Sequence, residues 1–182
     1  MNSLIHDTLS GSQMIKEIVE NLRNFSHLDE AKWKKVDIHH GIGSSIKIML
    51  PQFKRQLEIH KDFRASGIIS CNPGQLNQVF LNILSNAAQA IDDVGNIWIN
   101  THDDKEYLII EIKDDGKGMS AEILNKIFDP FYTTKDVGEG TGLGLSISYS
   151  IIQNHNGTLT AKSKVNKGTT FSIKIPYNLP EH

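Results

Sequence analysis

GEGTGLGLS, Gly138 to Ser146, places glycine at every second position and then runs into the apolar segment ISYSII, Ile147 to Ile152. Glycine loses more chain entropy on folding than any other residue and is a poor former of helix and strand. A cluster of it before a helix is useful where something must come close to the backbone. Phosphate is the common visitor, drawn by unpaired amide N–H groups and the positive end of the helix dipole. A mobile Gly-rich turn would have the same composition, so the stretch alone leaves both readings open. The familiar phosphate loops do not fit. No G-x-x-x-x-G-K-[ST] occurs in the chain, and counting G-x-G-x-x-G on from Gly138 or Gly140 reaches leucine.

The 182 residues suffice for one ordinary domain and a short extension. With 38% hydrophobic and 22% charged residues, the chain can bury a packed core, which argues against wholesale disorder. A net charge of −2 without any Lys/Arg run argues against nucleic acid or a membrane surface as the partner. Cys71 is the single cysteine, so no internal disulfide forms, and the eight histidines do not fall into zinc spacing with it. No apolar run is long enough to span a bilayer, and the first residues lack the layout of a signal peptide.

Upstream, residues 12–28 place Ile15, Ile18, Leu22 and Phe25 at alternating spacings of three and four, a seam suited to another helix. Two heptads are too few to stand alone, so the end of a longer bundle helix is expected, followed by a linker in DEAKWKK. From Val36, DIHHGIGSSIKIML reads as a helix and QLEIHKDF and GIISC as strands. Asn72 suits an N-cap and Pro73 the first helical position of a helix running to about Asp92. Strands NIWINTH and EYLIIEIKD are expected to join across Asp103-Asp104, with a helix in SAEILNKIF after them. The helix that follows the glycines should stop at Asn156-Gly157, and TLTAKSKV and TTFSIKIP should pair through Asn166-Lys167-Gly168. This order predicts an α/β sandwich, one sheet with helices on one face.

Polar residues sit oddly in three places. Asn82 and Asn86 lie one turn apart at the margin of the stripe Leu76, Val79, Phe80, Ile83, Ala87, Ile91. An amide oxygen there suits Mg²⁺, which takes few protein ligands, although capping of neighbouring loops would also explain the pair. In EYLIIEIKDDGKGM, strand alternation puts Asp114 on the inward face with Leu108, Ile110 and Ile112. An inward carboxylate needs strong donors, and Gly116 and Gly118 remove side chains beside it. An adenine amino group or a turn's own backbone N–H groups would satisfy such an acceptor. Third, IFDPFYTTK sets Phe128, Phe131 and Tyr132 beside Thr133, Thr134 and Lys135, which suggests a lid with aromatic anchors that dock onto the core.

NILSNAAQAI, DDGKGM, IFDPFYTTK, GEGTGLGLS and GTTFSIKIP occur in that order. Together they resemble the asparagine box, first glycine box, phenylalanine box, second glycine box and closing Gly-Thr motif of sensor histidine kinases. That family shares its ATPase group with gyrase, MutL and the large heat-shock chaperones. The resemblance covers about residues 36–177. It implies an α+β fold of the Bergerat type, a two-layer sandwich of a mixed sheet with helices on one face. ATP and Mg²⁺ are the implied cofactors. Asn86 is the implied Mg²⁺ ligand and, with Asn82 near the phosphates, the implied catalytic pair. Asp114 is the implied adenine acceptor, with Ala90, Gly116, Gly118 and Met119 lining that pocket and Thr169 or Thr170 completing it. Phe131, Thr133, Thr134 and Lys135 belong to the implied lid. By the same resemblance Gly140, Gly142 and Gly144 would present N–H groups to the phosphates, with Leu143 and Leu145 at the hinge of the lid.

Two features depart from the family pattern. Gln89 stands three positions after Asn86, where many members carry a basic residue, and no convincing phosphoacceptor histidine is present. His6-Asp7 mimics the acceptor pair, but LRNFSHLDEA resembles the end of a second bundle helix, with no room for a hairpin between. The expected organisation is therefore residues 1–30 as the end of a dimerisation helix plus linker, and 31–182 as the catalytic domain. The expected activity is transfer of the ATP γ-phosphoryl to a histidine on a dimerisation domain mostly absent from this chain. A response regulator is the expected onward partner, and pairing of the remnant helix into a homodimer stays open. The expected location is cytoplasmic, including as the cytoplasmic part of a membrane-bound sensor. A stand-alone anti-sigma-type serine kinase and a non-catalytic nucleotide-sensing module are the alternatives.

Overall fold

Residues 33–53, 56–135 and 140–177 are described by the structure, a computed structural model. The seam of residues 12–28, the pair His6-Asp7, and Gly138 with Glu139 lie outside the described residues. The elements run β1 (Lys34–Asp37), α1 (Ile38–Met49), β2 (Gln56–Phe63), β3 (Ile68–Cys71), α2 (Pro73–Ala90), β4 (Val94–Asp104) and β5 (Tyr107–Asp114). A short α3 (Ala121–Leu124) follows, then α4 (Gly144–Asn154), β6 (Thr158–Lys164) and β7 (Gly168–Pro176).

Period-two alternation builds the main sheet. Its order is β2-β4-β5-β7-β6, with β2 parallel to β4 and every other pair antiparallel, so the sheet is mixed. One face is lined by Ile97 and Ile99 of β4, Leu108, Ile110 and Ile112 of β5, and Phe171, Ile173 and Ile175 of β7, all buried. Ile112 sits opposite Ile99 on one side and Phe171 on the other, so the apolar rows run straight across the strands. Each such isoleucine contributes about 1.5–3 kcal/mol relative to exposure.

The helices cover that face. In α1 Ile38, Ile42, Ile46 and Met49 are buried at helical spacing, and α2 packs between α1 and α4 with Leu76, Val79, Phe80, Ile83, Leu84 and Ala87 inward. Asn72 caps α2, its Oδ1 accepting from the N–H groups of Gly74 (3.1 Å) and Gln75 (3.3 Å), with Pro73 in the first turn. The opposite face stays open and polar. Trp98 there stacks on His60 at 5.4 Å and carries the Lys113 ammonium at 5.0 Å. The result is the expected two-layer sandwich.

Three local expectations are corrected. Lys34–Asp37, split between the linker (Lys34, Lys35) and the start of the globular part, is a strand paired antiparallel with Ile68–Cys71. KKVD holds one apolar residue, so its pairing comes from the partner strand rather than from its own pattern. The β4–β5 hairpin turns at Lys105-Glu106, with Lys105 at φ 56°, and not at Asp103-Asp104. Both aspartates remain in the ladder because their carboxylates meet Tyr177 and Lys174 across the sheet. The helix expected over SAEILNKIF is only Ala121–Leu124. Ser120 caps its start, and after Leu124 the chain turns to bury Ile127.

Candidate functional site

Between α2, the ends of β5 and β7, and the start of α4 lies a cavity of about 370 Å³. Its floor is the β5 terminus. Asp114 is 2% exposed, and its Oδ1 accepts from the Gly116 N–H at 2.9 Å and the Thr169 N–H at 3.2 Å. Burial pushes this carboxyl's pKa up, and the two backbone donors pull against that. The floor needs close backbone packing. At Gly168, φ 85°, a Cβ would run into the Asp114 carbonyl, and at Gly116 into the Ala90 carbonyl at the end of α2. The Ala90 oxygen accepts instead from the Lys117 N–H at 2.9 Å.

Strand alternation selects between the two threonines. Thr169 is buried and bonded through Oγ1 to Ser163 at 2.9 Å, while Thr170 sits on the other face opposite Lys113. Thr170 does not line the cavity. Gly118 and Met119 do, and beside them stand Ile123, Ile127 and Phe171. Those three apolar walls were missed because core-facing positions of a strand, a short helix and the turn after it carry no mark of a ligand.

The far end of the cavity is polar. Asn82 donates through Nδ2 to the Gly144 carbonyl at 2.9 Å and to Ser148 Oγ at 3.1 Å, so it braces α2 against the first turn of α4. Among the described residues no side chain caps the start of α4, and Gly144 and Leu145 line the cavity there, so first-turn N–H groups are left for a ligand. Asn86 lies one turn beyond Asn82. Its Oδ1 accepts from the Lys135 ammonium at 3.4 Å, and Lys135 also donates to Gln89 Oε1. Amide oxygens turned toward a positive charge are the donor type a hard cation such as Mg²⁺ takes. Gln89 itself lines the cavity, as do Ser85, Lys117 and Thr141.

The chain that closes the top has a defined base. Phe131 N–H donates to the Gly142 carbonyl at 3.1 Å, and at Gly142, φ 67°, a Cβ would run into the Phe131 backbone. This clasp joins the two ends of the segment carrying Tyr132, Thr133, Thr134, Lys135, Gly140 and Thr141 along the cavity. Of the expected aromatic anchors, Phe128 docks, its ring 5.3 Å from that of Tyr149, and Tyr132 faces the cavity. Phe131 does not dock. Its backbone, at φ 66°, gives its N–H to Gly142 and the residue is 69% exposed. Leu143 is buried as the N-cap residue of α4 rather than lining the cavity. Asn82, Asn86, Ala90, Asp114, Gly118, Met119, Thr133, Thr134, Lys135, Gly140, Gly142, Gly144, Leu145 and Thr169 are brought together, while Gly116, Phe131, Leu143 and Thr170 stand outside the lining.

Known proteins share this architecture. The family model of histidine kinase-, DNA gyrase B- and HSP90-like ATPases matches residues 71–179. Sporulation kinase E of Bacillus subtilis (strain 168) is 46% identical over 109 residues, 59% of this chain and 14% of that protein. Sensor histidine kinase ZraS of Escherichia coli (strain K12) is 34% identical over 171 residues, 92% of this chain and 35% of that protein. The nucleotide-free catalytic domain of histidine kinase ThkA matches with a TM-score of 0.72 at 26% identity, covering 80% of this chain and 96% of that one. The chain thus spans 14% and 35% of the lengths of the two curated relatives. With an inward aspartate, an asparagine-bearing helix and a glycine-rich helix start around one cavity, the chain belongs to the family of histidine kinase-, DNA gyrase B- and HSP90-like ATPases.

Proposed function

We propose that this domain binds ATP with Mg²⁺ and donates the γ-phosphoryl to a histidine on a dimerisation domain of its parent protein, from which a response regulator draws it. The observation that carries the reading is the polarity of one cavity: a buried carboxylate, Asp114, at one end and the uncapped start of α4 at the other. A base with an exocyclic amino group matches the first and a polyphosphate the second. The resemblance to named sensor kinases supports transfer to histidine.

In this reading Asp114 Oδ1 is held by Gly116 and Thr169 so that the carboxylate meets the adenine amino group in a fixed orientation. Met119 and Ile123 exclude water beside the base. Asn86 would hold Mg²⁺, which supplies charge neutralisation on the phosphates. Asn82 fixes the α4 start, whose N–H groups receive phosphate oxygens, and Thr133, Thr134 and Lys135 close from above. Phosphoryl transfer asks the protein mainly for position and charge, and this site supplies both. Among the described residues no helix is long and apolar enough to cross a membrane.

The test is incubation with γ-labelled ATP, with and without a separate protein carrying the parent's dimerisation helices. The expected result is little label on this chain alone and slow acid-labile, base-stable labelling of the added helices. Label on serine of a partner would favour the anti-sigma type of kinase. Tight ATP binding with no transfer to any acceptor would favour the sensing module.

A further inference from the structure

Asn86 and Gln89 lie three residues apart on the last turns of α2, so they share one face. Asn86 is half-buried in the cavity wall and Gln89 is exposed at its rim. The Lys135 Nζ donates to both, to Asn86 Oδ1 at 3.4 Å and to Gln89 Oε1. An ammonium has donors only, so both carboxamides turn their oxygen, and not their nitrogen, toward the same point. α2 carries no charged residue along its whole length, so the helix itself brings only neutral oxygen donors to this point. Oxygen donors that converge on one positive charge are what a hard divalent ion requires, its remaining ligands being water and phosphate oxygens.

We propose that Asn86 and Gln89 form one cation seat, which Lys135 fills in the nucleotide-free domain and yields to the divalent cation that enters with ATP. The proposal rests on the Mg-ATP reading above and adds to it a second oxygen ligand and a competitor. The exchange leaves no charge stranded: the amide oxygens trade one cation for another, and the released ammonium meets phosphate oxygens. Lys135 lies inside the loop that the Phe131–Gly142 bond closes, so its release detaches residues 131–135 from α2 as the cation enters. Gln89, at the place where a basic residue would hold phosphate directly, serves the phosphates through the cation instead.

The experiment measures affinity for the non-hydrolysable analogue AMPPNP by calorimetry, once with Mg²⁺ and once with EDTA. The readout is the ratio of the two affinities. In the parent chain the ratio is well above one. Gln89→Leu is expected to lower it about fivefold, the scale of one lost polar contact. Gln89→Glu, which keeps an oxygen at that point, retains it. Gln89 is exposed, so neither variant opens a core cavity. A second readout uses no nucleotide: Gln89→Leu and Lys135→Met should both speed hydrogen exchange at residues 131–135. An unchanged ratio in Gln89→Leu overturns the shared seat while Mg-ATP binding stands. Unchanged exchange in both variants overturns the role of Lys135 as occupant. A parent ratio of one overturns the Mg²⁺ reading of the site, and the seat with it.

Discussion

His155 accepts the backbone N–H of Asn72 through Nε2 at 3.1 Å, tying the C-terminal end of α4 to the N-cap of α2. Its Nδ1 donates to the Ile151 carbonyl at 2.8 Å, so the ring is held neutral, fully buried, with Trp33 against it at 4.6 Å. The two helices that frame the cavity are thus fastened to each other at the end away from their contact at Asn82.

Burial pushes the pKa of His155 down from its ordinary value. The unfolded chain then takes up this proton before the folded one. The stabilising contribution is present above about pH 6.5 and is lost as pH falls below it. Thermal unfolding should therefore occur at lower temperature at pH 5.5 than at pH 7.5. His155→Leu, which leaves the Asn72 N–H buried without its acceptor, should cost about 1–3 kcal/mol and roughly 3–10 °C in Tm, and flatten that pH slope.

Asp114 has the opposite sign. Its carboxyl pKa is raised by burial, so its contribution is favourable at low pH and is lost as pH rises through the folded value. At neutral pH the empty domain carries the cost of this charge. Asp114→Asn keeps an oxygen for Gly116 and Thr169 but presents an amide nitrogen to the base. The expected outcome is an unchanged or raised Tm without nucleotide, with ATP affinity lower by about 1–3 kcal/mol. Calorimetry with ATP and GTP checks it. Equal affinity for both bases in the parent chain would remove Asp114 from base recognition.

The two asparagines of α2 should separate in one melting experiment. Asn82→Ala removes the bonds to Gly144 and Ser148 and should destabilise the empty protein by about 1–2 kcal/mol, seen as a lower Tm. Asn86→Ala touches no such brace and should leave Tm within about a degree, the scale of a surface change, while removing the Mg²⁺-dependent part of ATP affinity. A large loss of Tm in Asn86→Ala would make that residue structural.

Gly142→Ala forces a Cβ onto a residue at φ 67° and against the Phe131 backbone. The expected effect is a cost of about 1 kcal/mol or more at the clasp, visible as faster hydrogen exchange of the Phe131 amide and weaker ATP binding. Exchange at that amide equal to that of the parent chain would show the clasp to be unimportant.

The layers of this fold were legible because each helix and core strand carries its own period. Ile38, Ile42 and Ile46 announce α1, and Leu108, Ile110 and Ile112 announce β5 and carry Asp114 inward with them. Strand β1 was not, since KKVD has no pattern of its own and is defined by its partner. The polar half of the site could be read because asparagine, aspartate and clustered glycine are costly where they stand. Its apolar wall, Ile123, Ile127 and Phe171, looks like any core. Phe131 misled for a related reason: an aromatic residue suggests burial, whereas its left-handed backbone serves a hydrogen bond and leaves the ring outside.

The Phe131–Gly142 clasp has a consequence for how the domain tolerates change. A loop whose two ends are already joined pays its closure entropy at the join, and doubling the length between them adds only about 0.6 kcal/mol. Changes of length after Lys135 therefore leave α4 and the cavity floor in place, while Thr133, Thr134 and Lys135 stay along the cavity. The same join marks where a fluorescent or enzymatic reporter can be spliced into the chain without unseating the helices.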